Sequence, residues 1–239
     1  MPARFPLSAA LPFVLFAVAG LAVACSGGDA TAPTPTPDPA LAGRWEYAGY
    51  QVDGKSITVF VRLLAPGKVE ATLDNSPASR AEGGESGGIH KFTFENVAPG
   101  RHVLRITDAG GTAHIRAVWM PAASSPELGP QERITLKPGD GFKVKGADFT
   151  VLYTGTLGDS RCPVDVTCIR AGDTTHSFTG YAKGAPAIET VIVAPNGSAG
   201  GEVMLKYLVT VHTVSPEPRT GVQPDFSKYQ VEASYAVGE

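Results

Sequence analysis

The chain has 239 residues, with 18% charged side chains, 28 Gly, 20 Pro and a formal net charge of −3. This low charge and heavy turn chemistry fits β structure better than helices. No Lys/Arg run is present, which removes the electrostatic footprint of a nucleic-acid binder and of a polybasic membrane patch.

The N-terminus reads as an export signal over residues 1–24. Arg4 and the α-amine supply the basic start, Phe5 to Ala24 the mostly apolar run, and Ala22-Val23-Ala24-Cys25 the small-residue exit. Pro6, Pro12 and the lack of basic stop-transfer residues argue against a membrane span. With a cysteine at the cleavage point, the pattern resembles the lipobox of bacterial lipoproteins. Ala22 stands where Leu is usual. The resemblance implies that Cys25 is acylated and becomes the first residue of the mature chain. Ser26, rather than Asp, implies outer-membrane sorting in a two-membrane envelope. Several acyl chains hold a protein where one binds only marginally, at about 0.8 kcal/mol per buried methylene. The expected membrane partner is therefore reached through lipid.

Residues 25–40 form the tether. Thr31-Ala-Pro-Thr-Pro-Thr-Pro-Asp-Pro39 favours extended polyproline II, with a reach of up to roughly 40 Å. A first β region is expected over 41–121. Gly43-Arg-Trp-Glu-Tyr47, Ile57–Leu63, Val69–Leu73, Ile89–Phe94, His102–Ile106 and Ala113–Trp119 read as strands. Asp74-Asn75-Ser76-Pro77 is a turn, and residues 79–88 are expected to be a mobile loop. Phe92-Thr-Phe-Glu-Asn-Val-Ala-Pro-Gly-Arg-His-Val-Leu-Arg-Ile106 is similar to a strand–turn–strand pattern of bacterial Ig-like and carboxypeptidase-regulatory-like modules, which implies a β-sandwich.

Residues 122–131 are expected to be a linker, since Pro and Ser interrupt any apolar run. A second β region follows over 132–239. Ile134–Leu136 and Phe142–Val144 flank Pro138-Gly-Asp-Gly141 as a hairpin, and Phe149–Tyr153 and Ser177–Tyr181 are strands. Thr190–Val193 runs into a hairpin turn at Asn196-Gly197. Val203–Val211 reads as one strand, and Tyr229–Val237 as the last. The fold class is thus all-β, two small antiparallel sandwich or barrel domains after a signal peptide and tether.

Three cysteines are present, and acylation of Cys25 leaves Cys162 and Cys168 as a pair. In an oxidising envelope they read as a disulfide; the rival metal site lacks the further ligands that zinc needs. Asp159-Ser-Arg-Cys-Pro163 through Cys168-Ile-Arg-Ala-Gly172 resembles a D-S-R-C-P-x5-C-x-x-A-G pattern of small secreted or lipid-anchored bacterial proteins of unknown function. Val214-Ser-Pro-Glu-Pro218 and the Tyr229-led strand resemble that family's ending. The resemblance implies no activity.

The segment has two readings. Structurally, the disulfide pins an irregular crossover onto the second region. Functionally, it holds Arg161, Asp165 and Arg170 out to a partner. A cation site at Asp159, Asp165 and Asp173 matches no calcium loop. The five histidines form no H-x-x-x-H or H-E-x-x-H pattern. His102 and His114 are read as surface cross-strand neighbours. No catalytic residue, metal or cofactor is expected. Ser160 has no base nearby in sequence. Trp45, Tyr47, Tyr50 and Trp119 are read as core aromatics.

The expectation is a non-catalytic, lipid-anchored envelope protein binding a macromolecule or a glycan. Two alternatives stand beside it. One is an envelope hydrolase with a site assembled from distant loops. The other is a carbohydrate-binding module with a coplanar row of exposed Trp and Tyr.

Overall fold

In the computed structural model the described residues are 45–238, except 66, 84–87 and 197–198. The signal segment, Cys25 and the tether lie outside them. Among the described residues the chain is all-β, and its one helical element is a 3-10 turn at Phe226–Lys228. No helix among them is long and apolar enough to cross a membrane.

The first eight strands are β1 (Trp45–Asp53), β2 (Ser56–Leu63), β3 (Val69–Leu73), β4 (Ser76–Pro77), β5 (Arg80–Glu82), β6 (Gly88–Phe94), β7 (Gly100–Asp108) and β8 (Ala113–Met120). They form two antiparallel sheets of order β1-β2-β6-β5 and β4-β3-β7-β8. Period-two alternation decides which side chains are buried. Ile57, Val59, Val61 and Leu63 from one sheet meet Leu104, Ile106, Val118 and Met120 from the other in one buried cluster.

Asp74 and Asn75 both take positive φ, 48° and 66°, as a two-residue turn of primed type requires. The expected loop over 79–88 instead contributes β5, which pairs Arg80–Glu82 with Lys91–Thr93. Its polar composition hid the strand because β5 is an exposed edge with nothing to bury.

The remaining strands are β9 (Glu127–Leu128), β10 (Ile134–Leu136), β11 (Gly141–Val144), β12 (Phe149–Asp159), β13 (Asp173–Ala182), β14 (Ile188–Pro195), β15 (Gly200–Met204), β16 (Tyr207–Ser215) and β17 (Gln230–Val237). They give a sheet β14-β13-β12-β11-β9 and a sheet β10-β17-β16-β15, which share a second buried cluster. Within it Phe142 stacks on Tyr235 and Phe149 on Tyr207.

Three local expectations change. β10 and β11 are not a hairpin: β10 pairs with β17, and β11 with β12, so the Pro138-Gly139-Asp140 turn crosses between sheets. The turn at Asn196 also joins strands of different sheets, since β15 pairs with β16. The apolar run Val203–Val211 is broken at Leu205, whose φ is 57°, so that Met204 faces Tyr207 across a tight turn. Leu-Lys carries no turn chemistry, which is why the break is invisible in the sequence. In addition, the segment 122–131 supplies β9, parallel to β11, and buries Leu128.

β12 and β13 are buried on both faces around Leu152 and Tyr181, because those two side chains join the first cluster rather than the second. A closed ring of hydrogen bonds forms there. The Trp119 amide donates to the Tyr50 hydroxyl (3.3 Å), and the Tyr181 hydroxyl donates to the Trp119 carbonyl (2.9 Å). With that proton committed, the Tyr50 hydroxyl donates to Tyr181 (2.9 Å). The Ala187 amide also donates to the Tyr50 carbonyl. Tyr181→Phe opens this ring inside a buried site and is expected to cost about 1–3 kcal/mol in urea unfolding. A loss below about 0.5 kcal/mol would show that the ring adds nothing in solution.

Candidate functional site: the disulfide-pinned loop

β12 and β13 pair up to Asp159 and Thr174, and residues 160–172 leave the sheet between them. Ser160 closes the base of this excursion. Its amide donates to the Asp173 carbonyl (2.8 Å), its hydroxyl donates to the same carbonyl (3.1 Å), and it accepts from the Asp173 amide (2.9 Å). A Cβ at Gly172 would run into the Ser160 carbonyl, so glycine is required there by crowding. Cys162 and Cys168 are bonded, with Cα atoms 5.8 Å apart.

Arg161 occupies a different place from the one expected. Its side chain is 8% exposed and that of Asp159 is 1% exposed. The guanidinium grips both carboxylate oxygens, Nε to Oδ1 at 3.0 Å and Nη2 to Oδ2 at 2.7 Å. It also donates to the carbonyls of Val214 (2.9 Å) and Pro216 (2.6 Å), at the end of β16 and just beyond. The Tyr229 hydroxyl donates to Asp159 Oδ2 at 2.7 Å. Arg161 is thus a clamp between the loop and the β16 exit, not a displayed cation.

Burial alone would push the Asp159 carboxyl up, but the hydrogen bonds from Arg161 and Tyr229 outweigh it and hold it below its ordinary value. Burial and the Asp159 hydrogen bond together push the Tyr229 phenol up to about 12. These contacts bring together three stretches that looked separate in sequence: the Asp-Ser-Arg-Cys-Pro segment, Val214–Pro218 and Tyr229. The Val214 and Pro216 carbonyls and the Tyr229 hydroxyl were not legible as partners. Their only trace is that the three stretches occur together.

Asp165 and Arg170 are both exposed. Asp165 accepts from the Thr220 amide (3.0 Å) and hydroxyl (3.2 Å), and that amide bond chiefly lowers its carboxyl. The Val164 amide donates to the Pro218 carbonyl at 3.1 Å. The loop therefore docks along residues 214–220. Arg170 makes no ion pair or hydrogen bond among the described residues. The aliphatic tip lies between: Val164 is 51% exposed, Val166 47% and Ile169 103%. Sequence reasoning passed over these three, because isolated apolar residues in a loop carry no periodic signal.

The other candidates are tied into the fold. Asp159, Asp165 and Asp173 do not converge, and no group of three His, Cys, Asp or Glu among the described residues could hold a metal ion. The Ser160 hydroxyl is bound to backbone. His102 and His114 are not neighbours across the ladder, since His102 pairs with Val118 and His114 with Ile106. His102 is buried between Asp74 (2.6 Å) and the Ala98 carbonyl (2.7 Å), while His114 meets Trp45 edge-on. Tyr50 is 1% exposed, and Arg116 lies 4.6 Å over the Tyr47 ring. These rings do not make one exposed row.

Behind the loop, His176 is completely buried in a relay. Its Nε2 lies 2.8 Å from the Thr174 hydroxyl, which donates to the Ala194 carbonyl, so Nε2 carries the proton. Nδ1 accepts from Thr156 (3.2 Å), which accepts in turn from Tyr153 (2.7 Å). Burial, helped by the Arg161 charge, lowers this imidazole to about 4.

Compared with protein-family models, curated proteins and solved structures, the chain matches none.

Proposed function

We propose that this chain is a non-catalytic, lipid-anchored protein of the bacterial cell envelope, held on the outer membrane through Cys25, that presents the loop 162–170 to an envelope component. On the sequence reading that component is a macromolecule or a glycan. The observation carrying the proposal is a division of labour within the loop. Arg161, Ser160 and Asp165 all bond to the protein itself, while Val164, Val166, Ile169 and Arg170 face solvent. A segment fixed by a disulfide, a buried ion pair and docking along residues 214–220 lowers the ordering cost of recognition. Ser160 is bonded to backbone, His102 and His176 are buried and His114 meets Trp45 edge-on, while the Ser–His contact of His212 with Ser234 (2.8 Å) involves a serine that is 7% exposed.

The anchor is tested with Cys25→Ser. The wild-type mature chain should fractionate with membranes and carry fatty-acid mass, and the variant should move to the soluble fraction. A wild-type chain that is already soluble, with no acyl mass, would sink the proposal.

A further inference from the structure

We infer that the tip of the disulfide-pinned loop is a second lipid contact: Val164, Val166 and Ile169 rest in the headgroup–acyl boundary of the bilayer that carries the anchor. The inference takes the lipid anchor from the proposed function and puts a lipid surface in place of the macromolecule or glycan as the partner of the same loop.

The first argument is shape. Ile169 is 103% exposed, so it stands clear of every neighbour, and a side chain that protrudes in this way fits a fluid surface without needing a cavity opposite. The second is chemistry. The tip exposes three aliphatic side chains, Val164, Val166 and Ile169, apolar area that the headgroup–acyl boundary covers. Arg170 beside Ile169, and Arg219 beside Asp165, give cations at headgroup level.

The third argument is reach. Residues 26–44 separate the acylated cysteine from β1, and their composition allows roughly 40 Å of travel. A weak contact then acts at the high effective concentration that a short tether imposes. The acyl chains on Cys25 hold the chain on the bilayer, and the tip fixes which face of the folded part meets it.

Rigidity is the fourth argument. The disulfide, the Arg161 clamp and the Val164–Pro218 bond keep the apolar side chains outward, where a free loop would fold them inward.

The test uses residues 26–239, the mature chain without Cys25, carrying an N-terminal histidine tag. It is held on phosphatidylcholine–phosphatidylglycerol vesicles by a nickel-chelating lipid, so that acylation of Cys25 plays no part. After subtraction of the Trp45 and Trp119 signal of the unsubstituted chain, Ile169→Trp is expected to show a blue-shifted emission on vesicles and at least threefold stronger quenching by brominated lipid than Ile115→Trp, an exposed position on β8. The unsubstituted chain should show slowed amide exchange across 164–170 on vesicles but not in solution.

Equal quenching at the two positions together with unchanged exchange would overturn the inference. So would protection that appears only when envelope protein is added, which would make the partner a protein. Because the tag replaces the acyl group, a negative result here leaves the anchor standing. Conversely, a native chain without fatty-acid mass leaves the vesicle result standing.

Discussion

Arg161→Ala should lower the unfolding free energy by about 3–5 kcal/mol, the range found when one partner of a buried ion pair is removed. The substitution strips the Asp159 carboxylate, 1% exposed in the intact pair, of its two-point partner. It also leaves the Val214 and Pro216 carbonyls without their donors. The Tyr229 hydroxyl remains on Asp159, but one neutral donor does not compensate a buried charge. Asp159 then takes up a proton more readily, so its carboxyl should rise from its lowered value.

Arg161→Lys should recover little, since an ammonium cannot reach both carboxylate oxygens and two carbonyls from one planar fork. The paired change Asp159→Asn with Arg161→Met should cost less than the sum of its parts, because no lone charge stays behind. Urea unfolding of the four proteins measures the coupling. A single-site loss under about 1 kcal/mol would mean that solvent reaches the pair. Amide exchange of residues 162–170 gives a local readout: it should accelerate in Arg161→Ala, because the disulfide closes the loop on itself while the clamp holds it to the β16 exit.

The alternation of Ile57-Thr-Val-Phe-Val-Arg-Leu63 and of His102-Val-Leu-Arg-Ile106 made the core legible, because a half-buried strand must repeat every two residues. Pairing was less legible. Pro138-Gly139-Asp140 has turn chemistry, but a turn does not say whether the next strand returns to the same sheet. The turn at Leu205 and the edge strand Arg80–Glu82 were hidden for opposite reasons. Tertiary packing imposes the first on residues with no turn preference, and the second lacks a buried face.

At the loop, the Cys162–Cys168 bond was readable from compartment and spacing. The role of Arg161 was not. A charged residue in a loop is usually exposed, and only the return of residues 214–216 beside it turns display into a clamp.

Acid should destabilise the protein well before its carboxylates titrate. His176 is neutral in the folded state, with its imidazole lowered to about 4 from an ordinary 6.5. Its two nitrogens are already matched, Nε2 to Thr174 as donor and Nδ1 to Thr156 as acceptor, so a second proton would meet the Thr156 hydroxyl hydrogen. The unfolded chain takes up that proton near pH 6.5 and the folded chain near pH 4. The stabilisation is therefore fully present above about pH 6.5 and lost as pH falls toward 4, by on the order of 3 kcal/mol. Asp74 and Asp159, both held below their ordinary values, add a further loss below that window.

His176→Gln should be less stable at pH 7, yet its urea midpoint should fall much less than wild type between pH 6.5 and 4, the remaining slope coming from His212, whose imidazole burial also lowers. The two predictions are linked, because the charge on Arg161 helps to keep His176 neutral. In Arg161→Ala the acid limb should be shallower, though still present, since burial is the larger cause. A His176→Gln profile as steep as wild type would place the acid sensitivity elsewhere, and an Arg161→Ala limb of unchanged slope would show that the guanidinium is not felt at the imidazole.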